Sequence, residues 1–184
     1  IKHVIDCSNE GTEVGCDSNG RIVFQTVSIP ILGRLSVGST IEMNGNQKQN
    51  LTALNYSKLV IDNINGVSLT GEVTINNELR LEQGNIQLGK HALKIAESGT
   101  ITAYGPQSFI VTDDTGMMMQ RGSGVNALNG KKVFPIGAFS NSYTPCWIEN
   151  SGVKDDFSVR VLDNHFRNGV SGDTSTTHKV NRIW

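Results

Sequence analysis

Helical periodicity is what this sequence most plainly lacks. No window sets apolar residues at i, i+3, i+4 and i+7 over the length a helix needs, which excludes bundles, coiled coils and α/β architectures. No apolar run approaches the roughly 20 residues that carry a helix across a bilayer, so the chain is not expected to span a membrane. Charge is scarce as well. Asp, Glu, Lys and Arg make up 18% of the 184 residues, against roughly 25% in an average domain. The formal net charge is −1 and the pI is near 6.5. There is no basic stripe, and the few aromatic residues are not interleaved with Arg or Lys. Nucleic acid is therefore not an expected partner. His3, His91, His165 and His178 and the three cysteines are scattered, with none of the short-range pairing that structural zinc requires. No metal and no cofactor is expected. A signal peptide is missing too, and Ile1 is not a natural start, so a mature form or a fragment is expected, from which any export signal has been removed.

Polarity is carried instead by uncharged amides and hydroxyls: 18 Asn, 16 Ser and 14 Thr, beside 20 Gly. Asn-Gly pairs beginning at Asn19, Asn44, Asn65, Asn129 and Asn168 are strong turn signals, because both residues tolerate positive φ. Between turns, apolar residues come two apart: Val67 and Leu69, Val73 and Ile75, Leu79 and Leu81, Ile86 and Leu88, Leu93 and Ile95. Each pair points two side chains to one face of a strand. The pairs recur about every six or seven residues, faster than the roughly 8–12 of a hairpin-built sandwich. That rhythm predicts a coil of short strands, a β-solenoid whose turns bury their faces only against one another. Leu79, Leu81, Leu88, Leu93 and Ile95 are the expected core. The expected fold is all-β. A Cys-loop and strand segment occupies 1–34, and a short solenoid, parallel β-helix-like, spans 35–121. An antiparallel, sandwich-like cap covers 122–184, where KKVFPIG, YTPCWIEN and DFSVRVLD supply longer strands and Phe157, Val159 and Val161 share a face. At the other end Ile22, Phe24, Val27 and Ile29 could pack against the coil. The abundant Asn is expected to stack in ladders, each amide bonding the next turn.

Few residues group into a chemical site. Asp113–Asp114 and Asp155–Asp156 are carboxylate pairs in turns, but neither sits in a loop of repeated acids that would give calcium its roughly 6–8 oxygens. Glu72, Glu78, Glu82 and Glu97 fall on successive turns and could align, as glycosidase chemistry requires, yet their neighbours are those of a solvated face. Arg121-Gly122-Ser123-Gly124 reads as a flexible break, neither nucleophile elbow nor phosphate loop. No catalytic residue is expected, and the chain is not expected to be an enzyme. Alternation buries either Met118 or the pair Met117 and Met119. An exposed Met suits an adaptable contact surface, so Met117 and Met119 are candidate interface residues. Ile183 and Trp184 join them, since Trp dominates contact energies. Tyr104, Tyr143, Trp147 and Trp184 could stack on sugars but are spread along the chain. Cys146, between Pro145 and Trp147, is expected to be a buried, unpaired small hydrophobe.

The succession QNLTALNYSKLVIDN, VSLTGEVTINNELRLEQGNIQLGKHALKI, SFIVTDDTGMMMQR, VFPIGAFSNSYTPCWIE, DFSVRVLDN and VNRIW resembles a repeat region common in secreted Bacteroidetes proteins of the type IX secretion class. The pattern rests on Gln49 before an apolar strand, Tyr56 with Leu59, Leu79 and Leu81 with Gly84, Phe134 to Gly137, and Val180 to Trp184. It covers about residues 35–184. Such proteins are large extracellular or cell-surface chains with a separate C-terminal sorting domain. This sequence holds no such domain and stops at Trp184, where the family usually continues, so a piece of something larger is expected. With the repeating strands and low charge, the resemblance implies a structural or adhesive protein acting through copies of itself or a larger parent chain. Surface polysaccharide is the other candidate partner. The alternative function is a carbohydrate-binding module of a secreted polysaccharide-degrading system, and a third is a solenoid enzyme acting on polysaccharide.

Cys7 and Cys16 bracket a small loop, CSNEGTEVGC. In an exported protein such a loop gains from a staple. A Cys7–Cys16 disulfide is therefore expected, the alternative being two reduced thiols. Mass spectrometry of native material alkylated without reductant decides between them: the bridge leaves only Cys146 labelled, and label on Cys7 and Cys16 refutes it.

Overall fold

A computed structural model describes residues 14–16, 20–27, 32–125 and 131–163. Cys7, the Cys16 side chain, Ile29, Ile183 and Trp184 lie outside what it describes, and so does the Val180 to Trp184 element. The described residues form seventeen strands. They are β1 (Val14–Cys16), β2 (Arg21–Phe24), β3 (Leu32–Leu35), β4 (Thr40–Met43), β5 (Gln49–Leu51), β6 (Asn55–Asp62), β7 (Val67–Leu69), β8 (Val73–Gln83) and β9 (Ile86–Gln87). After them come β10 (Leu93–Ile95), β11 (Thr100–Thr102), β12 (Ile110–Val111), β13 (Met118–Ser123), β14 (Lys131–Phe134), β15 (Ile136–Gly137), β16 (Cys146–Glu149) and β17 (Asp155–Val159).

The chain lays most of these strands into two sheets. The main sheet has the order β17-β13-β10-β8-β6-β4-β2, with β11 also on β8; the second has the order β15-β12-β9-β7-β5. Every pairing in the two sheets is parallel except β13 with β17. The chain alternates between sheets as it advances, so it coils, for about four turns. This is the expected all-β solenoid. Hydrogen bonds between adjacent turns join residues 18 to 22 positions apart. Three of the apolar pairs therefore fit in one turn, two of them on long β8 and one beginning on β9.

In-register stacking turns these pairs into continuous columns. Ile22, Ile41, Leu59, Leu79 and Ile101 follow one another across β2, β4, β6, β8 and β11. Phe24, Met43, Ile61 and Leu81 form a second column, and Val67, Ile86, Ile110 and Ile136 a third on the opposite sheet. Leu79, Leu81, Leu88, Leu93 and Ile95 are all fully buried, as expected. Burying each such side chain is worth roughly 1.5–3 kcal/mol. Tyr56 ends another column, and its hydroxyl donates to the Thr52 carbonyl at 2.8 Å. Ile22 and Phe24 are buried in the first turn, while Val27 is exposed.

At one corner of the coil, side-chain amides take over from backbone pairing. Gln49 is fully buried. Its Nε2 donates to the carbonyls of Phe24 at 3.0 Å and Thr26 at 2.9 Å, and its Oε1 accepts from Gly45 N and Asn63 Nδ2, both at 2.9 Å. Asn63 also donates to the Gln47 carbonyl at 2.7 Å and accepts from Asn65 N at 2.9 Å. One network thus stitches three successive turns. The next turn closes on the same corner. Gly84 has φ +77°, and a β-carbon there would lie 1.9 Å from the Asn63 carbonyl oxygen, so only glycine lets the turns approach. Among the described residues Asn amides do bond between turns, but not in stacked Asn ladders. Asn44 reaches Asp62, Asn65 the Asn46 carbonyl, Asn77 the Ser57 hydroxyl and Asn85 the Ser140 carbonyl. Asn-on-Asn stacking needs identical residues at identical positions, and the turns differ in length and sequence.

The end of the coil is antiparallel. β17 closes the main sheet against β13, and β14 pairs with β16 in a separate two-stranded ribbon. Val159 and Val161 are buried and Phe157 is half-buried on the expected face. Between the two ribbon strands, β15 adds in parallel to β12, extending the second sheet into the C-terminal segment. Arg121 to Ser123 are not a flexible break: they continue β13, and Ser123 is buried.

Gln49→Glu tests the corner. The substitution turns an amide donor into a carboxylate oxygen facing two carbonyls, and burial without partners costs about 1–3 kcal/mol per group. The urea midpoint is expected to fall, and to fall less at pH 4 than at pH 7, because the buried carboxyl's pKa is raised and its neutral form can donate again. A midpoint unchanged at pH 7 rules the network out as a stabilising element.

Candidate functional site

The last turn carries the most distinctive surface chemistry. β8 is long enough to pair with β10 through Val73 to Ile75 and with β11 through Glu78 to Arg80. β13 then continues on β10 alone. The outer edge of β11 therefore pairs with no further strand among the described residues. A groove of about 160 Å³ opens beside that edge, lined by Gly99, Thr100, Ile101, Tyr104, Gln120, Lys131, Lys132 and Val133. The ribbon β14–β16 forms its far wall.

Each lining side chain is placed by a specific device. Ala103 has φ 56°, the only positive value at a non-glycine residue among those described. Two residues on, Gly105 and Ser108 exchange backbone hydrogen bonds of 2.9 and 3.0 Å. The strained residue and this tight bridge hold Tyr104 at the groove, 37% exposed. On β14 the pattern alternates: Lys132 and Phe134 turn inward, Lys131 and Val133 outward. Lys132 is buried and donates from Nζ to the Glu97 carbonyl at 3.2 Å. Burial pushes its amine below the usual lysine range, opposed by the charges of Glu97 and Asp156. Gln120, also buried, donates from Nε2 to the Val133 carbonyl. Lys131 holds its Nζ 4.7 Å from the centroid of the Trp147 ring, a cation–π geometry. Trp147 stands opposite Val133 on the outward face of the ribbon and is 64% exposed. Tyr143 lies behind, its ring 5.3 Å from Phe109. Burial raises its phenol pKa, and the neighbouring Tyr104 adds to the rise.

Three of the aromatic residues that the sequence scatters thus lie at or near one groove, Tyr104 in its lining, Trp147 against its Lys131 and Tyr143 beside Tyr104; Trp184, the fourth, lies outside the described residues. Sequence reasoning did not single out Lys131 and Lys132. The available signal was their alternation before Val133-Phe134, which puts one lysine out and one in. Of the interface candidates, Met117 is 45% exposed and Met119 half-buried, while Met118 is fully buried in the core. Cys146 is half-buried rather than fully buried, unpaired, with its thiol pKa raised by burial.

Glu72, Glu78, Glu82 and Glu97 do not align on successive turns, since Glu78 and Glu82 both lie on β8. Glu72 pairs with Lys94 at 2.6 Å, Glu82 pairs with Arg80, Glu97 pairs with Lys154 at 3.1 Å, and Glu78 accepts from the Thr102 hydroxyl at 2.9 Å. Glu78 and Glu82 share a larger groove, about 610 Å³, on the outer face of the main sheet. Glu42 and Asp62 line it too, interleaved with Arg21, Lys58 and Arg80. Glu42 is buried against Arg21, and Asp62 accepts from Asn44 at 3.0 Å and Gln83 at 2.9 Å. Asp114 accepts from Thr115 N in an exposed turn. Among the described residues no group of three or more His, Cys, Asp or Glu is placed to hold a metal ion, and no helix is long and apolar enough to cross a membrane.

No protein-family model, no curated protein and no solved structure matches this chain.

Asp156 ties the cap to the coil. Its Oδ1 accepts from Gly122 N at 2.8 Å and its Oδ2 from Arg121 Nε at 3.1 Å. The Gly122 bond, then the Arg121 bond and the charges of Arg121 and Lys154, outweigh desolvation and hold the carboxyl below the usual range. A depressed carboxyl stabilises the fold above the unfolded Asp pKa of about 3.9, and that contribution is lost as pH falls through the lower folded value. Hydrogen exchange in β17, corrected for intrinsic rates, is expected to speed up between pH 5 and pH 3. Asp156→Asn is expected to remove most of that difference; equal pH dependence in the variant excludes the tie.

Proposed function

We propose that this chain is a structural, adhesive segment of a secreted bacterial cell-surface protein, acting through contact with copies of itself or with a larger parent chain rather than through catalysis. The observation that carries this reading is the in-register parallel stack. A parallel stack ends in the same kind of hydrogen-bonding edge that joins its own turns, and such an edge accepts another strand or turn. The half-exposed Met117 beside the cap adds an adaptable apolar contact. Glu72, Glu82 and Glu97 are each paired with a lysine or arginine, which suits a contact surface. The resemblance of residues 35–184 to repeat regions of type IX secreted Bacteroidetes proteins supports the extracellular location and the larger parent.

The second reading, a carbohydrate-binding module, is favoured by one observation: Tyr104 and Lys131 line a single groove, with Trp147 against the same lysine.

Sedimentation velocity over a range of concentrations, with negative-stain microscopy, tests the first reading. Species larger than the monomer that grow with concentration, or filaments, are expected. A concentration-independent monomer that hydrolyses a polysaccharide overturns it.

A further inference from the structure

We infer that the groove between β11 and the β14–β16 ribbon is a subsite for one acidic pyranose unit of an extracellular polysaccharide, stacked on Trp147 and Tyr104 and held through its carboxylate by Lys131. The inference rests on the carbohydrate-binding reading and names its ligand class. Three independent features converge on it. The groove's volume, about 160 Å³, is well under the ~300–1,000 Å³ of pockets that enclose a drug-sized molecule, so it holds one ring rather than a whole ligand. One exposed aromatic ring, Tyr104, lines the groove, and a second, Trp147, lies against its Lys131. The C–H face of a pyranose presents partial positive charge to the negative face of an aromatic ring, so sugars stack where free hydrocarbons would not stay in water. The charged side chains lining the groove are both cationic, Lys131 and Lys132. Glu97 lies outside the lining and is engaged by Lys154. Glu149 stands across the ribbon from Lys131, yet the Lys131 ammonium rests over the indole, from which a ligand carboxylate can draw it.

The remaining polar demand of a sugar is met by the edge of β11. Its outward backbone groups have no strand partner among the described residues, and a pyranose hydroxyl both donates and accepts. Lys132 contributes position rather than direct contact: its ammonium is bound to the Glu97 carbonyl and fixes β14 against the coil.

Affinity electrophoresis of the intact chain through gels containing polygalacturonate, fully methyl-esterified polygalacturonate or dextran tests the subsite. Retardation by the acid polymer is expected, with little by the ester or by dextran. Trp147→Ala and Tyr104→Ala are each expected to weaken binding by about tenfold, the scale of losing one aromatic anchor. Lys131→Met is expected to weaken it severalfold and to flatten its salt dependence. Lys48→Ala, on an exposed loop away from the groove, is expected to leave it unchanged, and thermal unfolding checks that each variant folds. Equal retardation by the ester overturns the acidic assignment. Retardation that survives all three groove variants overturns the site while leaving a carbohydrate-binding module in place. No retardation by any polymer overturns both, and leaves self-association to stand or fall on the sedimentation result.

Discussion

Every turn of this coil depends on its neighbours for its backbone hydrogen bonds. A parallel strand of three or four residues cannot satisfy its own N–H and C=O groups, and a buried unpaired group costs about 1–3 kcal/mol. The register between turns is therefore the constraint from which the rest follows. It puts like positions one above another, so that Ile41, Leu59 and Leu79 form one apolar column. It also leaves the corners exposed to mismatch, because turns differ in length. Gln49 and Asn63 absorb that mismatch by supplying side-chain donors and acceptors where the backbone ladder lapses. Gly84 then permits the closest approach of one turn to the next.

The same constraint explains where the surface becomes chemically distinctive. While consecutive turns match, each strand is covered on both edges. Strand β8 outgrows that arrangement: one part supports β10 and another supports β11, and only the first is continued by β13. The chain then leaves the coil for an antiparallel ribbon, which stands beside the uncovered edge without pairing to it. The groove is the space left over, and its residues come from segments up to about thirty positions apart in sequence, as between Ile101 and Lys131.

The coil was legible in the sequence because its signal is local. Val73 with Ile75, or Leu79 with Leu81, declares a strand and its buried face within three residues, and Asn-Gly or Gly between such pairs declares a corner. What local signal could not supply was the partner of each side chain. Glu72, Glu78, Glu82 and Glu97 could have aligned had they fallen on successive turns, yet Glu78 and Glu82 share β8, Glu72 stands directly before it, and each of the four takes a different partner. Gln49 was legible as a position in a pattern, though not as the amide that joins three turns. Gly122 and Gly124 mimicked a flexible break, whereas Gly122 sits in a strand and donates to Asp156 from a segment more than thirty residues away. The grouping of Tyr104, Lys131 and Trp147 was hidden for the same reason: it forms only once the ribbon has folded back on the last turn.

Three local costs fall near one groove. Ala103 in the left-handed region costs on the order of 1–3 kcal/mol, and Lys132 buries an ammonium whose main new partner is one carbonyl. Trp147 keeps a large apolar ring in water. Over most of the coil local preference and global fold agree, with apolar pairs facing inward and amides at corners, although Val37 and Ile64 also stand exposed. A stack with so many buried columns can tolerate a few unfavourable residues anywhere on its surface, so stability alone gives no reason for them to gather. The meeting of these three near one groove, on elements from separate parts of the chain, is what a binding site produces when its geometry is held at the expense of local stability.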